Sequence, residues 1–273
     1  MPRNRPPDFR FRHTMPDIVI ASRSEVGARS RNEDYLQHGA FDAGWYAVLS
    51  DGAGGHSNGA VAADLVVRIV AHELGSQLTQ QGREQPALDE VVHTANDALN
   101  RQQQGLRGQK RMHATLVMLW IGKASRQAVW SHVGDSRLYL LRQGRVAQVT
   151  RDDSVVQTMV DAGLIAPHEA RSHSQRNQLI AAMGSDEPIE PHVSDPGFLV
   201  QDGDAFLLCS DGWYDRLEEA DIEHCLAEAD SVEAWLDAMQ TLVHERQRAN
   251  QDNFSAVAVW VGNPAEVTRI GPL

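Results

Sequence analysis

With 273 residues, the chain is long enough to bury one large core or two small ones. Its formal charge of −12 argues against a nucleic-acid footprint, which would be a basic stripe. No stretch is long enough to span a membrane, and Met1 to Pro16 holds basic residues and prolines but nothing resembling a signal peptide.

Taken in order, residues 1–16 read as a flexible arm, 17–263 as a single domain and 264–273 as a C-terminal tail. Ile18-Val19-Ile20 and Trp45 to Leu49 read as strands, followed by a helix from Ala60 to Leu74 with Val61, Leu65, Ile69 and Leu74 near helical spacing. A second helix is expected over Leu88 to Gln104. Strands then follow at Thr115 to Ile121, Ala128 to Val133 and Leu138 to Leu141. Between Thr150 and Pro191 the composition shifts, with a short amphipathic segment from Ser154 to Ala162 and no continuous core strand. Ala205 to Cys209 and Ser255 to Val261 are strands, with helices at Ala220 to Glu228 and Ser231 to Arg248 between them. Several strands are too apolar to have a solvent face, so covering layers are needed. The uneven order of strands and helices points to an α+β fold rather than a doubly wound sheet.

Cys209 and Cys225 make neither a disulfide framework nor a metal-binding spacing, and a reducing cytoplasm is the expected location. Lys110 and Lys123 are the only lysines, so a guanidinium is the expected phosphate clamp.

Acidic islands recur along the chain: Asn32-Glu33-Asp34, Asp51-Gly52, Gly134-Asp135-Ser136-Arg137, Ser210-Asp211-Gly212 and Asp252-Asn253. Each stands at or near an apolar run, and three lie beside Gly, where the backbone can approach a small ligand. Asp-Gly is first a turn dipeptide, and any one island alone would be ordinary turn chemistry. Carboxylates converging at ~4 Å repel by roughly 4 kcal/mol per pair at an effective dielectric near 20. A cluster is therefore tolerable mainly when a hard divalent cation neutralises it, which suits a metal-dependent hydrolase of an anionic substrate.

The order of these motifs resembles the bacterial form of the protein phosphatase 2C-type (PPM) family of metal-dependent serine/threonine phosphatases, from about Ile18 to Val261. Ser24 to Arg29 leading into Asn32-Glu33-Asp34 is similar to the first motif, and Ser50-Asp51-Gly52 with Gly54-Gly55-His56 to the second. Gly134 to Arg137, Ser210 to Gly212 and Gln251-Asp252-Asn253 supply the rest. The resemblance implies a central β-sandwich of two antiparallel sheets with helices on both sides, and a flap at about 151–191 that serves as a lid or substrate contact.

It further implies two Mn²⁺ or Mg²⁺ ions and hydrolysis of phosphoserine and phosphothreonine by direct attack of water activated between them. Asp51, the carbonyl of Gly52, Asp211 and Asp252 would hold one ion, with Asp51 bridging to a second held by Glu33 and Asp34. Arg29 would grip the phosphate. His56 is the candidate general acid for the leaving alkoxide, a role that a metal-bound water could equally fill. Asp135, Asp211 and Asp215 would hold a possible third ion; Asp215 could instead cap the stretch that follows. The implied partners are a phosphorylated protein substrate and an opposing cytosolic serine/threonine kinase, with neither nucleic acid nor membrane insertion.

The chain departs from the family pattern in carrying Ala53 where Met is common, His113-Ala114 within a segment similar to Gly-Thr-Thr, and Ser174 where proline usually follows His173. None of these removes a metal ligand. Two other functions fit the same motifs: a catalytically silent phosphoprotein-binding scaffold, and a metal-dependent hydrolase of a small phosphate metabolite.

Overall fold

The computed structural model describes residues 15–53, 58–106, 111–195 and 197–264. Most of the expected arm and tail therefore lie outside the described residues, as do Gly54, Gly55 and His56.

Two antiparallel sheets face each other. One has the strand order β1 (Ile18–Glu25), β11 (Phe254–Val261), β10 (Ala205–Cys209), β7 (Arg137–Arg142) and β8 (Arg145–Val149). The other runs β2 (Asp34–Phe41), β3 (Gly44–Ala53), β5 (Leu116–Gly122), β6 (Ala128–Val133) and β9 (His192–Val193), with β4 (His113–Ala114) added to the end of β3. Helices α1 (Asn58–Gly75) and α2 (Leu88–Gln102) cover the second sheet. The short α5 (Asp211–Tyr214), α6 (Glu219–Glu228) and α7 (Val232–Glu245) cover the first. The four layers are thus the helix–sheet–sheet–helix sandwich that the resemblance implied.

This layering explains why the strands read as unbroken apolar runs. Along β5, Leu116, Met118 and Trp120 face α1 and α2, whereas Val117, Leu119 and Ile121 face the opposite sheet. In β11 the same alternation sends Ala256, Ala258 and Trp260 to α5–α7 and Val257, Val259 and Val261 inward. Both faces of these strands are buried, so the period of two separates two cores rather than core from water.

The buried stripe of α1 is rotated from the expected one. Ala62, Ala63, Val66, Val67, Val70, Ala71 and Leu74 are buried, while Val61 is 49% exposed and Leu65 and Ile69 pack at the stripe's margin. Small residues let the helix approach the sheet closely, a preference that counting large apolar side chains misses. The chain continues from α1 through a π-helical turn, Ser76–Gln80. Helix α7 starts at the expected place because Ser231 caps it, its Oγ accepting from the Ala234 N–H at 3.2 Å.

Two full strands were not legible in the sequence. β2 and β8 are edge strands with mixed burial, and β2 carries Gln37, His38 and Gly39 mid-strand, so neither shows an apolar run. In the 151–191 segment, Ser154 caps α3 (Val155–Asp161) and α4 (Pro167–Ala170) follows. The rest of that segment is irregular chain tied back by the Ser154–Leu179 and Ala114–Met183 bridges.

Leu208 is fully buried between the sheets. Leu208→Ala is expected to destabilise the fold by about 2–5 kcal/mol, measured as a lowered urea midpoint at unchanged slope; a loss below about 0.5 kcal/mol would contradict a tightly packed inter-sheet core.

Candidate metal centre

The carboxylates singled out in the sequence meet at one end of the sandwich. Asp34 opens β2 and lies opposite Asp51 in the β2–β3 register, which places two acids on adjacent strands. Asp211 follows β10 after Ser210 as the first residue of α5, Asp252 precedes β11, and Asp135 sits in the turn between β6 and β7. Because β10 pairs with β11, the Asp211 and Asp252 loops leave the sheet side by side. Gly212 is required here: a Cβ on it would lie 2.1 Å from the Asn253 carbonyl oxygen.

Backbone and side-chain hydrogen bonds fix the cluster. The Asp51 N–H donates to Thr115 Oγ1 at 2.9 Å and the Thr115 N–H returns to the Asp51 carbonyl at 2.8 Å. Thr115 Oγ1 also pairs with Ser136 Oγ at 2.7 Å. Ser210 Oγ donates to Asp34 Oδ2 at 2.8 Å, and the Gly52 N–H donates to the Glu33 carbonyl at 3.1 Å. Asn253 joins the first motif to the last: its Oδ1 accepts from the Glu33 N–H, and its Nδ2 donates to the Val26 and Arg31 carbonyls. Thr115, Ser210 and Asn253 had no assigned role in the sequence. Their signal was a polar residue at the end of an apolar strand, too common a pattern to single them out.

A cleft of ≈ 500 Å³ opens over this cluster, lined by Arg29, Arg31, Glu33, Asp51, Gly52, Asp135, Asp211 and Asp252, with Asn177 and Leu179 from the 151–191 segment. Arg29 stands at its mouth, 56% exposed, with its guanidinium on Asp252 Oδ2. Asp215 adjoins Asp135 and Asp211 in a side pocket. It does not cap the next helix, whose N-cap is Glu218. Asp215 ends α5, its N–H donating to the Asp211 carbonyl at 2.9 Å, and Arg176 approaches its carboxylate at 3.7 Å. His113, opposite Ala53 in β4, is half-buried, and burial lowers its pKa.

The electrostatics of the cluster are those of a cation site. Burial, then the charges of Asp34, Asp211, Asp135 and Asp252, hold the Asp51 carboxyl well above the usual range. Asp211 is raised in the same way by burial and then Asp135, Asp252 and Asp215. Burial pushes Asp34 up to about 6 against the lowering effect of the Ser255 and Ser210 hydroxyls, and Asp135 to about 7. Asp34 Oδ1 and Asp211 Oδ1 are buried with no hydrogen-bond partner, a state that costs free energy unless something else occupies their lone pairs. The donor set is oxygen only, which suits Mg²⁺ or Mn²⁺ rather than zinc. The residues present therefore fit a cluster of hard divalent ions.

The protein phosphatase 2C family model matches residues 22–254. The chain belongs to the protein phosphatase 2C family. Among its family relatives, the serine/threonine protein phosphatase PstP of Mycobacterium tuberculosis is 37% identical over 214 residues, covering 77% of this chain and 39% of PstP. The chain thus spans about two-fifths of the length of that relative. The protein phosphatase PhpP of Streptococcus pneumoniae is 30% identical over 89% of this chain and 97% of PhpP. Among solved structures, the catalytic domain of PstP in complex with two manganese ions superposes with a TM-score of 0.72 at 31% identity, covering 90% of this chain and 98% of that one.

The raised carboxyl pKa values set a pH dependence in the metal-free protein. An unfolded aspartate releases its proton near 3.9, whereas Asp34 and Asp135 hold theirs to about 6 and about 7. Between those limits the folded chain binds more protons than the unfolded chain, so stability falls as pH rises through that window. In EDTA at pH 8, Asp211→Asn is expected to raise Tm by about 2–4 °C for each kcal/mol of repulsion relieved, while losing most of the Tm gain that Mn²⁺ gives the wild type. Differential scanning calorimetry checks both; a metal-free variant less stable than wild type would contradict the repulsion.

Proposed function

We propose that this chain is a metal-dependent protein phosphatase that hydrolyses phosphoserine and phosphothreonine in protein substrates, opposing a cytosolic serine/threonine kinase. The observation that carries this reading is the convergence of Asp51, Asp211 and Asp252 in one cleft beside Arg29, with Asp34 buried opposite Asp51 and two buried carboxylate oxygens lacking partners. The relatives' names, serine/threonine protein phosphatase and protein phosphatase, favour a phosphoprotein over a small metabolite. A silent scaffold has no chemical need for the full ligand set. Two free, buried thiols, Cys209 and Cys225, suit a reducing compartment.

We assign Asp51, the Gly52 carbonyl, Asp211 and Asp252 to one ion and Glu33, Asp34 and the bridging Asp51 to the other. Asp135, Asp211 and Asp215 form a third, weaker position. When bound, a pair of Mn²⁺ or Mg²⁺ ions supplies Lewis acidity toward phosphoryl oxygens and lowers the pKa of water toward neutrality. The chain's own residues do the positioning. Thr115 and Ser136 hold the Asp51 backbone in place, and Ser210 orients Asp34. Arg29 has five N–H donors and spends one on Asp252, leaving a fork for two phosphoryl oxygens at the cleft mouth. His56 is assigned the proton for the leaving alkoxide. The 151–191 segment acts as the flap, bringing Asn177 and Leu179 to the substrate side of the cleft.

Phosphate release from a phosphothreonine peptide is expected to require Mn²⁺, to vanish in EDTA, and to be lost in Asp211→Asn. Absence of turnover by folded wild type on several phosphopeptides, with turnover on phosphate metabolites, would overturn the protein-substrate reading. Arg29→Ala is expected to lower kcat/KM by about 10- to 100-fold, the cost of losing a charged hydrogen bond of about 1.5–3 kcal/mol. His56→Ala is expected to slow the peptide by about 10²-fold and p-nitrophenyl phosphate, whose leaving group needs no proton, far less. Equal losses on both substrates would remove His56 from the acid role.

A further inference from the structure

Away from the carboxylate cluster, the described residues hold one group of histidine and aspartate side chains with ligand atoms all within 4.8 Å of one another: His132, Asp153 and His192. Three separate elements deliver them. His132 lies in β6, and His192 lies opposite it in the β6–β9 register, so both imidazoles stand on the same face of the sheet. Their rings stack with centroids 4.8 Å apart. Asp153 comes from the turn between β8 and α3, and its Oδ1 lies 2.8 Å from His192 Nε2.

The hydrogen bonds prepare these groups as ligands. His132 Nε2 lies 2.7 Å from the Arg151 carbonyl, which can only accept, so Nε2 carries the proton and Nδ1 keeps its lone pair. That Nδ1 is buried without a partner, on a residue only 5% exposed. An imidazole N–H anchored on a backbone carbonyl with the other nitrogen bare is the arrangement that orients a metal-binding histidine. Asp153 is anchored likewise, its Oδ2 accepting from the Gly134 N–H at 2.9 Å while Oδ1 faces His192.

We propose that His132, Asp153 and His192 form a second metal site, selective for a borderline transition-metal ion of the Zn²⁺ class and separate from the oxygen-only carboxylate centre. Two imidazoles and one carboxylate suit such an ion, whereas Mg²⁺ and Mn²⁺ prefer oxygen donors. Ligand bonds of about 2.0–2.2 Å require the three atoms to close from their present spread. His192 supplies that movement: it is 57% exposed in side chain and sits on a two-residue edge strand. An ion held there would tie β6, β9 and the start of α3 together. It would also brace Gly134, whose N–H and carbonyl both bond Asp153 and which immediately precedes Asp135.

The site is tested by isothermal titration of the full chain with Zn²⁺ in saturating Mg²⁺, which keeps the carboxylate centre loaded. Wild type and Asp211→Asn are expected to bind one equivalent of Zn²⁺ alike. His192→Ala, an exposed position whose replacement leaves the core intact, is expected to bind at least tenfold more weakly at an unchanged metal-free Tm. Zinc binding that survives His192→Ala, that disappears in Asp211→Asn, or that is absent from wild type would each overturn the proposal. The readout is binding alone, so it is independent of whether the chain hydrolyses phosphopeptides.

Discussion

The placement of Asp34 opposite Asp51 on adjacent strands sets the terms for everything at this end of the molecule. Two buried carboxylates on neighbouring strands repel, and Asp211, Asp252 and Asp135 add to the same field. Without a cation the cluster relieves itself by holding protons, as the raised pKa values of these groups record. A rigid sandwich is what makes the arrangement possible. The central strands of both sheets are buried on both faces, which restricts how far the strand ends can spread to relax the repulsion. Divalent ions bound there would release that free energy, which is how a stable scaffold can carry an unstable site.

The chain's net charge of −12 is consistent with this division. On the proposed function, the positive potential for an anionic substrate would be local, from Arg29 and from the ions themselves. The second cluster, His132, Asp153 and His192, lies across the β6–β7 turn from the first and differs in donor chemistry. Nitrogen-containing and oxygen-only ligand sets so placed would sort ions by type rather than by affinity alone.

Much of this was legible in the sequence, and the remainder was hidden for identifiable reasons. Asp51, Asp135, Asp211 and Asp252 were readable because each follows or precedes an apolar strand, and strand ends of one sandwich collect at the same place; Asp34 was readable only from the resemblance of Asn32-Glu33-Asp34 to a family motif. Strands β5, β6, β10 and β11 were plain because both faces are buried. β2 escaped notice although it carries Asp34, because an edge strand with Gln37, His38 and Gly39 lacks an apolar run. The supporting bonds of Thr115, Ser210 and Asn253 depend on which strands become neighbours, something spacing along the chain does not encode. The pairing of His132 with His192 was hidden likewise, since 60 positions separate them and β9 is two residues long.

One close contact ties the outer layer to the site. Gly52 and Gly59 meet backbone to backbone: a Cβ on Gly52 would lie 2.2 Å from the Gly59 carbonyl, and one on Gly59 would lie 2.5 Å from Gly52 O and 2.8 Å from Glu33 Oε2. Helix α1 is therefore a lever whose tip rests on the floor of the cleft, and its seating along Ala62, Val66 and Val70 sets the height of the Gly52 peptide. A methyl group removed at Val70, about three turns along α1 from Gly59, is expected to reach the site as a displacement rather than as a loss of contact.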